Sequence, residues 1–222
     1  MLNFFLIILF CLALHLFSIA AAGQATGVRV LELSIGMGPM VFRYKAFILK
    51  LIPLNGYVKF IDTRERVVSD ADLPFAFDRL STWRQIMVTL SGCAALLVLA
   101  TVLLGTGAWQ DFIALPAQYV MGAVSPFGTA QTLLLEAGRV IHTTALLSLL
   151  GIVAVKLAAF NLLPQAGSNG YYVLTVLVNR SGPGANHPYP GAFHKLVVFM
   201  TIAAMISWCL AIAYACWTHY GL

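Results

Sequence analysis

The side chains of this chain that could take part in hydrolytic chemistry are few. His15 lies inside an apolar run near the N-terminus, and Asn169 lies beyond the third apolar run. A histidine nitrogen binds zinc well, whereas the neutral amide of asparagine is a poorer ligand than a carboxylate. A hydrolytic zinc site needs three protein ligands, a metal-bound water and a carboxylate that takes the proton of that water. These two residues alone therefore predict no complete hydrolytic centre.

The composition predicts the elements that must position these residues. Of the 222 residues, 60% are hydrophobic and 9% are charged, whereas soluble domains carry about 25% charged residues. Four apolar runs approach the roughly 20 residues that cross a bilayer, and they cover about 3–22, 84–105, 140–163 and 194–217. We therefore predict an all-α polytopic membrane protein with about four transmembrane helices, built as a single membrane domain over 1–222. A further apolar segment, about 169–179, is too short to span and predicts a buried or re-entrant helix.

Between the first two apolar runs the pattern changes from helix to strand. Val28–Ile35 alternates imperfectly between apolar and polar residues, Phe42–Leu51 is a second strand-like run, and Asn55-Gly56 is typical of a tight turn. This pattern predicts a small membrane-associated β-hairpin or sheet over about 28–60. Residues 61–82 are rich in charge and predict a solvated loop.

The charges are distributed unevenly along the chain. The formal net charge is +5, and eight of the thirteen Lys and Arg residues lie between Arg29 and Arg79, whereas 106–138 has none. This is the positive-inside pattern of a protein in a lipid bilayer, and it gives no reason to expect nucleic acid as a partner. We expect 23–82 to be cytoplasmic and both termini to be external.

The N-terminal run also has an alternative interpretation. Residues 4–19 followed by Ala20-Ala21-Ala22-Gly23 have the form of a secretory signal peptide with its cleavage site. The absence of a positive charge in Met1-Leu2-Asn3 favours a membrane helix that is retained. Cleavage would remove His15.

Several short motifs resemble one family of membrane proteases. They are Gly27-Val28-Arg29-Val30, Ile52-Pro53-Leu54-Asn55-Gly56-Tyr57-Val58-Lys59, and Asn161-Leu162-Leu163-Pro164 followed by Asn169-Gly170. In order and spacing they are similar to motifs of the site-2 family of intramembrane zinc metalloproteases. The resemblance covers nearly the whole chain. The resemblance implies a site-2 protease-like fold. We expect the protein to lie in a bacterial inner or plasma membrane.

The resemblance also implies where the metal site of such a protease lies. Active members carry H-E-x-x-H on the first membrane helix, twelve residues before the Gly of G-V-R-V, and the Asp of D-G as the third ligand. The corresponding positions in this chain hold His15, Leu16, Ile19 and Asn169. Leucine cannot act as a base and isoleucine cannot bind a metal. We therefore predict no catalytic residues, no metal site beyond His15 as a sole remnant, and no cofactor.

These replacements predict a pseudoenzyme. Such an inactive homologue would bind a membrane-protein helix or an extended peptide segment, as a scaffold, an assembly factor or a complex subunit. The alternative is an active intramembrane zinc metalloprotease with unorthodox ligands. The histidines available to rebuild a site are His142, His187, His194 and His219. His187 and His194 are seven residues apart, which is no standard ligand spacing.

The substrate-handling part of the family framework is better retained. In the family, the early hairpin and the N-L-L-P segment flank the groove in which a substrate helix unwinds, and the edge of a hairpin can pair with an extended peptide. We therefore expect contacts with a membrane protein or peptide segment at Asn55, Gly56, Tyr57, Asn161, Pro164, Asn169 and Gly170.

Three features elsewhere bear on this comparison. Gly92 occupies the Gly of the family's A-G-P-x-x-N, whose Pro and Asn are replaced here. The segment 105–138 is too short for an inserted PDZ domain and predicts a membrane-surface helix or loop. Lys156 is a charge within the third apolar run, and we expect it to extend to the cytoplasmic face or to meet an acidic residue of a partner.

Overall fold

The computed structural model describes residues 2–179 and 191–220, and this part of the chain folds into seven α-helices and two long β-strands. In chain order they are α1 (Leu2–Ala25), β1 (Val30–Tyr44), β2 (Phe47–Phe60), α2 (Thr82–Leu104), α3 (Gly107–Val124), α4 (Thr129–Thr143), α5 (Leu146–Leu162), α6 (Asn169–Asn179) and α7 (Ala192–Tyr220). His187 and the Pro/Gly-rich stretch around it lie outside the described residues.

The chain divides into two compact units. The first consists of Met1–Leu99 with Tyr172–Tyr189, and the second of Ala100–Tyr171 with Pro190–Leu222. The first unit contains α1, the sheet and most of α2 and α6, and the second contains α3, α4, α5 and α7.

Three described helices are long and apolar enough to cross a bilayer, namely α1, α2 and the Ala192–Thr218 part of α7. The predicted fourth run, 140–163, is divided, because α4 ends at Thr143 and the backbone is extended at Thr144 before α5 begins. The apolar helix that remains, α5, has 17 residues. At a rise of about 1.5 Å per residue it is about 25 Å long, less than the roughly 30 Å of a bilayer core.

The sheet consists of β1 and β2, which pair antiparallel. Its register is irregular, since Leu33 lies opposite both Val58 and Phe47, and Ser34 lies opposite both Tyr57 and Ile48. Residues 33–35 of β1 therefore have a segment of β2 on each side. At the other end, Met40–Tyr44 pairs with the start of β2 on one side only and forms an outer edge of the sheet.

The prediction of a turn at Asn55-Gly56 is wrong. The strands are joined at Lys45-Ala46, where Lys45 has a φ of 51°, and Asn55-Gly56 lies inside β2. The physical reason is packing, because a β-carbon on Gly56 would overlap the side chain of Leu16 and lie 2.6 Å from the carbonyl oxygen of Ser34. Glycine at this position lets the strand lie directly on α1.

The segment between β2 and α2 is solvated only in part, because its two ends pack against the rest of the unit. Ile61, Ala76 and Phe77 are buried, and the Phe77 ring stacks on Phe60 at 5.0 Å. The Asp78 carboxylate is buried as well and accepts hydrogen bonds from the backbone N–H and the hydroxyl of Thr63. The charge of Asp78 thus holds the segment together instead of facing solvent.

In the second unit α3 is the central helix, since it packs against α4, α5 and α7. The stretch 105–138, predicted as a membrane-surface helix or loop, forms α3 and most of α4, and α3 contacts both apolar helices of the unit. Most side chains of α3 that stay exposed are apolar, and the large ones are Trp109, Ile113, Val120, Met121 and Val124.

Candidate functional site

His15 lies on the face of α1 that packs against α2. It is buried, with 4% of its surface exposed. A β-carbon on Gly92 would lie 2.6 Å from both Nδ1 and the carbonyl oxygen of His15. One residue away, the hydroxyl of Ser91 donates to the carbonyl oxygen of Ser18 at 3.2 Å. The space beside the imidazole is thus taken up by the backbone of α2.

The other two positions of the family's helix motif lie in apolar clusters. Leu16 packs with Leu12, Leu33 and Ile35, between α1 and the sheet. Ile19 packs in a second cluster with Val28, Phe77 and Val88. Neither side chain has a donor atom for a metal, and both fill the interface that holds α1 in place.

The later motif joins the end of α5 to the start of α6. The hydroxyl of Ser168 accepts a hydrogen bond from the backbone N–H of Tyr171 at 3.0 Å, which is the arrangement of a helix N-cap. A β-carbon on Gly170 would overlap the carbonyl oxygen of Leu162, so the start of α6 lies directly against the end of α5. The Asn161 amide donates to the carbonyl oxygen of Leu157 at 2.9 Å, so this side chain bonds to its own helix. Pro164 is exposed.

Tyr171, next to Gly170, is buried, and its hydroxyl is hydrogen-bonded to Nδ1 of His194 at the start of α7. This histidine was one of those considered for a rebuilt metal site. The structure places it beside the phenol of Tyr171.

The predicted contact residues of the hairpin are held by their own neighbours. Asn55 accepts a hydrogen bond from the backbone N–H of Gly56 at 2.7 Å. The Tyr57 hydroxyl donates to Glu32 at 3.0 Å, and the Lys50 ammonium lies 5.0 Å from the centre of its ring. Burial, and next the hydrogen bond to the Glu32 carboxylate, raise the pKa of Tyr57 above its ordinary value.

A polar network that the sequence analysis did not identify ties the loop after β2 to α2 and α6. Arg64 makes two hydrogen bonds to the Asp62 carboxylate and one of 3.4 Å to the Tyr172 hydroxyl. Tyr172 in turn donates to Gln85 at 2.9 Å, and the Gln85 amide donates to the carbonyl oxygen of Leu80 at 2.8 Å. Burial alone would lower the pKa of Arg64, but its bonds to Asp62 and Tyr172 raise the pKa above the ordinary value.

Lys156 has an acidic partner within the chain, which the sequence analysis did not identify. Its ammonium lies 3.2 Å from the Asp111 carboxylate of α3 and donates to Gln118 at 2.9 Å. Lys156 and Asp111 are 45 positions apart in the sequence. At this separation no local sequence pattern indicates that two residues pair.

The residues at the family's metal positions do not fit a zinc site. His15 offers one imidazole, Leu16 and Ile19 offer no donor, and Asn169 offers a neutral amide, whereas a hydrolytic zinc has three protein ligands. Among residues 2–179 and 191–220 no group of three His, Cys, Asp or Glu side chains is placed to hold a metal ion. No reaction step through a metal follows from these residues.

The comparison with protein families decides the assignment. The family model described as "Peptidase family M50" matches residues 3–208, which is nearly the whole chain. The chain belongs to this family, the site-2 proteases. Its three long apolar helices and this membership make it an integral membrane protein.

Relatives within family M50 are bacterial. The chain is 35% identical over 170 residues to a protein of Neisseria meningitidis that carries the name of a zinc metalloprotease, covering 63% of this chain and 38% of the relative. It is 32% identical over 118 residues to a similarly named protein of Clostridium acetobutylicum, covering 51% and 33%. It is 29% identical over 103 residues to the regulator of sigma E protease of Haemophilus influenzae, covering 44% and 23%. The chain thus spans well under half the length of these relatives.

These comparisons correct one prediction. The sequence analysis predicts a pseudoenzyme, and that prediction is wrong, because the family is a peptidase family and the relatives carry the names of proteases. The same names point to zinc, whereas the sequence analysis expects no cofactor.

Proposed function

We propose that this chain takes part in intramembrane proteolysis and binds an extended segment of another membrane protein along the outer edge of its sheet. The observation that carries the proposal is the stretch Met40–Tyr44, which is paired on one side only within the described part of the chain. An unpaired strand edge presents a row of main-chain donors and acceptors that an extended peptide can join.

The side chains of this edge fit an apolar segment. Met40, Val41, Phe42 and Tyr44 are all more than half exposed. Arg43 lies 3.7 Å from Glu32, so its charge is partly balanced within the sheet. Burial of apolar surface contributes roughly 25 cal/mol per Å², so a segment of apolar residues gains from covering this edge.

The proteolytic part of the proposal is supported by the family and by the names of the relatives. Ligands other than those at the family positions would be needed to hold zinc, because Leu16, Ile19 and Asn169 replace the residues that supply them. We propose the alternative of the sequence analysis, a metalloprotease with unorthodox ligands, as the reaction.

Binding is tested with a probe of defined chemistry. The probe is a biotinylated peptide with a Leu/Ala span of about 20 residues and a Val/Thr extension, reconstituted with the full chain in nanodiscs. Photoreactive p-benzoylphenylalanine replaces Phe42 on the edge or, as a matched control, Phe10 on α1, which are 53% and 51% exposed. We expect crosslinking from position 42 to exceed that from position 10 several-fold. Equal crosslinking at the two positions would contradict edge binding.

Proteolysis is tested separately by cleavage of the same probe and by the zinc content of the purified protein. Zinc near one equivalent and cleavage that a chelator abolishes would support the proteolytic part. The variant His15→Ala shows whether this imidazole contributes to zinc binding. Protein without zinc that leaves the probe uncut would overturn the proteolytic part and leave edge binding to stand on the crosslinking result.

The orientation in the membrane is a further part of the proposal. The cluster of Lys and Arg between Arg29 and Arg79 supports a cytoplasmic position for 23–82. A cysteine placed at Lys45, in the turn between the strands, should then react with a membrane-impermeant maleimide only in inverted vesicles. Labelling of this cysteine from the outside of intact cells would show that the orientation is the opposite one.

A further inference from the structure

Tyr119 of α3 contacts both ends of the Asn161–Pro164 motif. Its ring meets that of Phe160 edge-on, with the centres 5.7 Å apart and the planes at 80°. Its hydroxyl donates to the side-chain carbonyl of Gln165 at 2.9 Å. Phe160 precedes the motif and Gln165 follows it, so one side chain bridges the turn that joins α5 to the segment before α6.

The position of Tyr119 is itself fixed by α7. The Trp208 ring stacks on that of Tyr119 with the centres 6.3 Å apart, and its indole N–H donates to the carbonyl oxygen of Tyr119 at 3.2 Å. A β-carbon on Gly122 would overlap the Trp208 ring, so α3 and α7 are in close contact here. The tyrosine therefore has little freedom to follow the turn if the turn moves.

A second contact holds α5 to α3 one helical turn earlier. Lys156 precedes Phe160 by four residues, and its ammonium donates to Gln118, the neighbour of Tyr119, at 2.9 Å. The same ammonium forms the ion pair with Asp111. Two adjacent residues of α3 thus hold α5 at two successive turns, which sets the direction in which the chain leaves that helix.

The turn is held by its own hydrogen bonds as well. The backbone at Leu163 is extended, as expected before a proline. The Gln165 N–H and the Ser168 hydroxyl both donate to the carbonyl oxygen of Leu163. Because Gln165 takes part both in this turn and in the bond to Tyr119, a change at the tyrosine hydroxyl reaches the turn directly.

We propose that Tyr119 is a positioning residue for the Asn161–Pro164 turn, which it holds at Phe160 and Gln165 so that the turn meets a bound membrane-protein segment in one fixed conformation. This inference rests on the proposed function, because it assumes that such a segment binds. It assigns a role to α3, a helix in the stretch that the sequence analysis set aside as a surface element.

The test uses the same peptide probe in nanodiscs, with p-benzoylphenylalanine at Leu162 or at Phe42. Tyr119→Phe removes the hydroxyl and keeps the ring. We expect crosslinking from position 162 to fall at least three-fold and crosslinking from position 42 to stay within the error of the unmodified protein. Tyr214→Phe, which removes the hydroxyl of an α7 tyrosine against Phe127, should change neither.

Two variants of Gln165 separate positioning from general loss of structure. Gln165→Glu keeps an acceptor for the Tyr119 hydroxyl and should retain crosslinking from position 162, whereas Gln165→Leu should lose it as Tyr119→Phe does. Unchanged crosslinking from position 162 in both Tyr119→Phe and Gln165→Leu overturns the inference. Absence of crosslinking from position 42 in the unmodified protein overturns edge binding instead, so the two failures are distinct.

Discussion

A β-carbon on Gly92 would lie 2.6 Å from Nδ1 of His15, so the imidazole of α1 lies directly on the backbone of α2. The Gly that the family carries in its second helix is retained at this contact. The relationship explains Gly92 by packing, because any larger residue would separate the two helices.

Replacement of Gly92 by alanine should destabilise the first unit. The added methyl meets a ring nitrogen and a carbonyl oxygen at 2.6 Å, and such overpacking costs about 1–3 kcal/mol. Gly138 in α4 is the matched control, since a β-carbon there meets nothing within 4 Å and Gly→Ala in a helix stabilises by up to about 1 kcal/mol. Thermal unfolding in detergent should show a lower midpoint for Gly92→Ala only. Equal midpoints would mean that the helices can separate freely here.

The ion pair between Arg64 and Asp62 should be essential for the loop after β2. The side chains are 15% and 11% exposed, and removal of one partner from a buried pair costs about 3–5 kcal/mol because the other charge stays buried. We expect Arg64→Met to unfold early and to increase proteolysis between residues 61 and 81. Arg66→Met removes an exposed arginine two residues away and should behave as the unmodified protein. A resistant Arg64→Met variant would show that Asp62 does not need this partner.

The pair of Lys156 and Asp111 should show coupling in a double-mutant cycle. Each single replacement, Lys156→Met or Asp111→Leu, leaves a part-buried charge without its partner, and we expect a loss of roughly 1–3 kcal/mol, below the range for fully buried pairs. The double variant should regain most of that loss, since an apolar pair replaces an ionic one. Lys195→Met, at an exposed lysine of α7, serves as the control. Strictly additive losses would contradict the pairing.

Tyr57 should make the stability of the hairpin depend on alkaline pH. Its pKa is raised in the folded protein, so the neutral hydroxyl is favoured by folding. The contribution is complete below the ordinary tyrosine pKa of about 10 and is lost as the pH rises through the higher folded pKa. Tyr57→Phe should remove this part of the pH dependence. The measurement is hydrogen exchange of the two strands at pH values of about 9, 10 and 11, around the ordinary pKa of tyrosine. An identical pH profile for Tyr57→Phe would exclude the tyrosine as the cause.

The part of the fold that follows from the sequence is the part set by local composition. The apolar runs 3–22, 84–105 and 194–217 correspond to α1, α2 and α7, because hydropathy alone determines which segments suit a bilayer. The predicted short helix at 169–179 is α6. The run 140–163 is not one continuous helix, because two extended residues at Thr144 and Ala145 interrupt it, and a hydropathy window averages over such a break.

The parts that could not be predicted depend on distant pairs. Asn55-Gly56 has the form of a turn, but contact with Leu16 of another element keeps Gly56 in a strand. Lys156 and Asp111 are too far apart in sequence for either to indicate the other. For the candidate site, the assignment of His15, Leu16, Ile19 and Asn169 to the family positions stays a prediction. The pseudoenzyme that their residue types predicted is overturned by the family comparison.

The double pairing of Leu33 and Ser34 has a mechanical consequence. A segment bound at Met40–Tyr44 would run parallel to the strands, and tension along it would load each row of hydrogen bonds in shear, so that the bonds of a row share the force instead of breaking one by one. The middle of the sheet passes that force to α1 through Leu33 and Ile35, which pack on Leu12 and Leu16. A segment bound at this edge would therefore be anchored on α1 through the sheet.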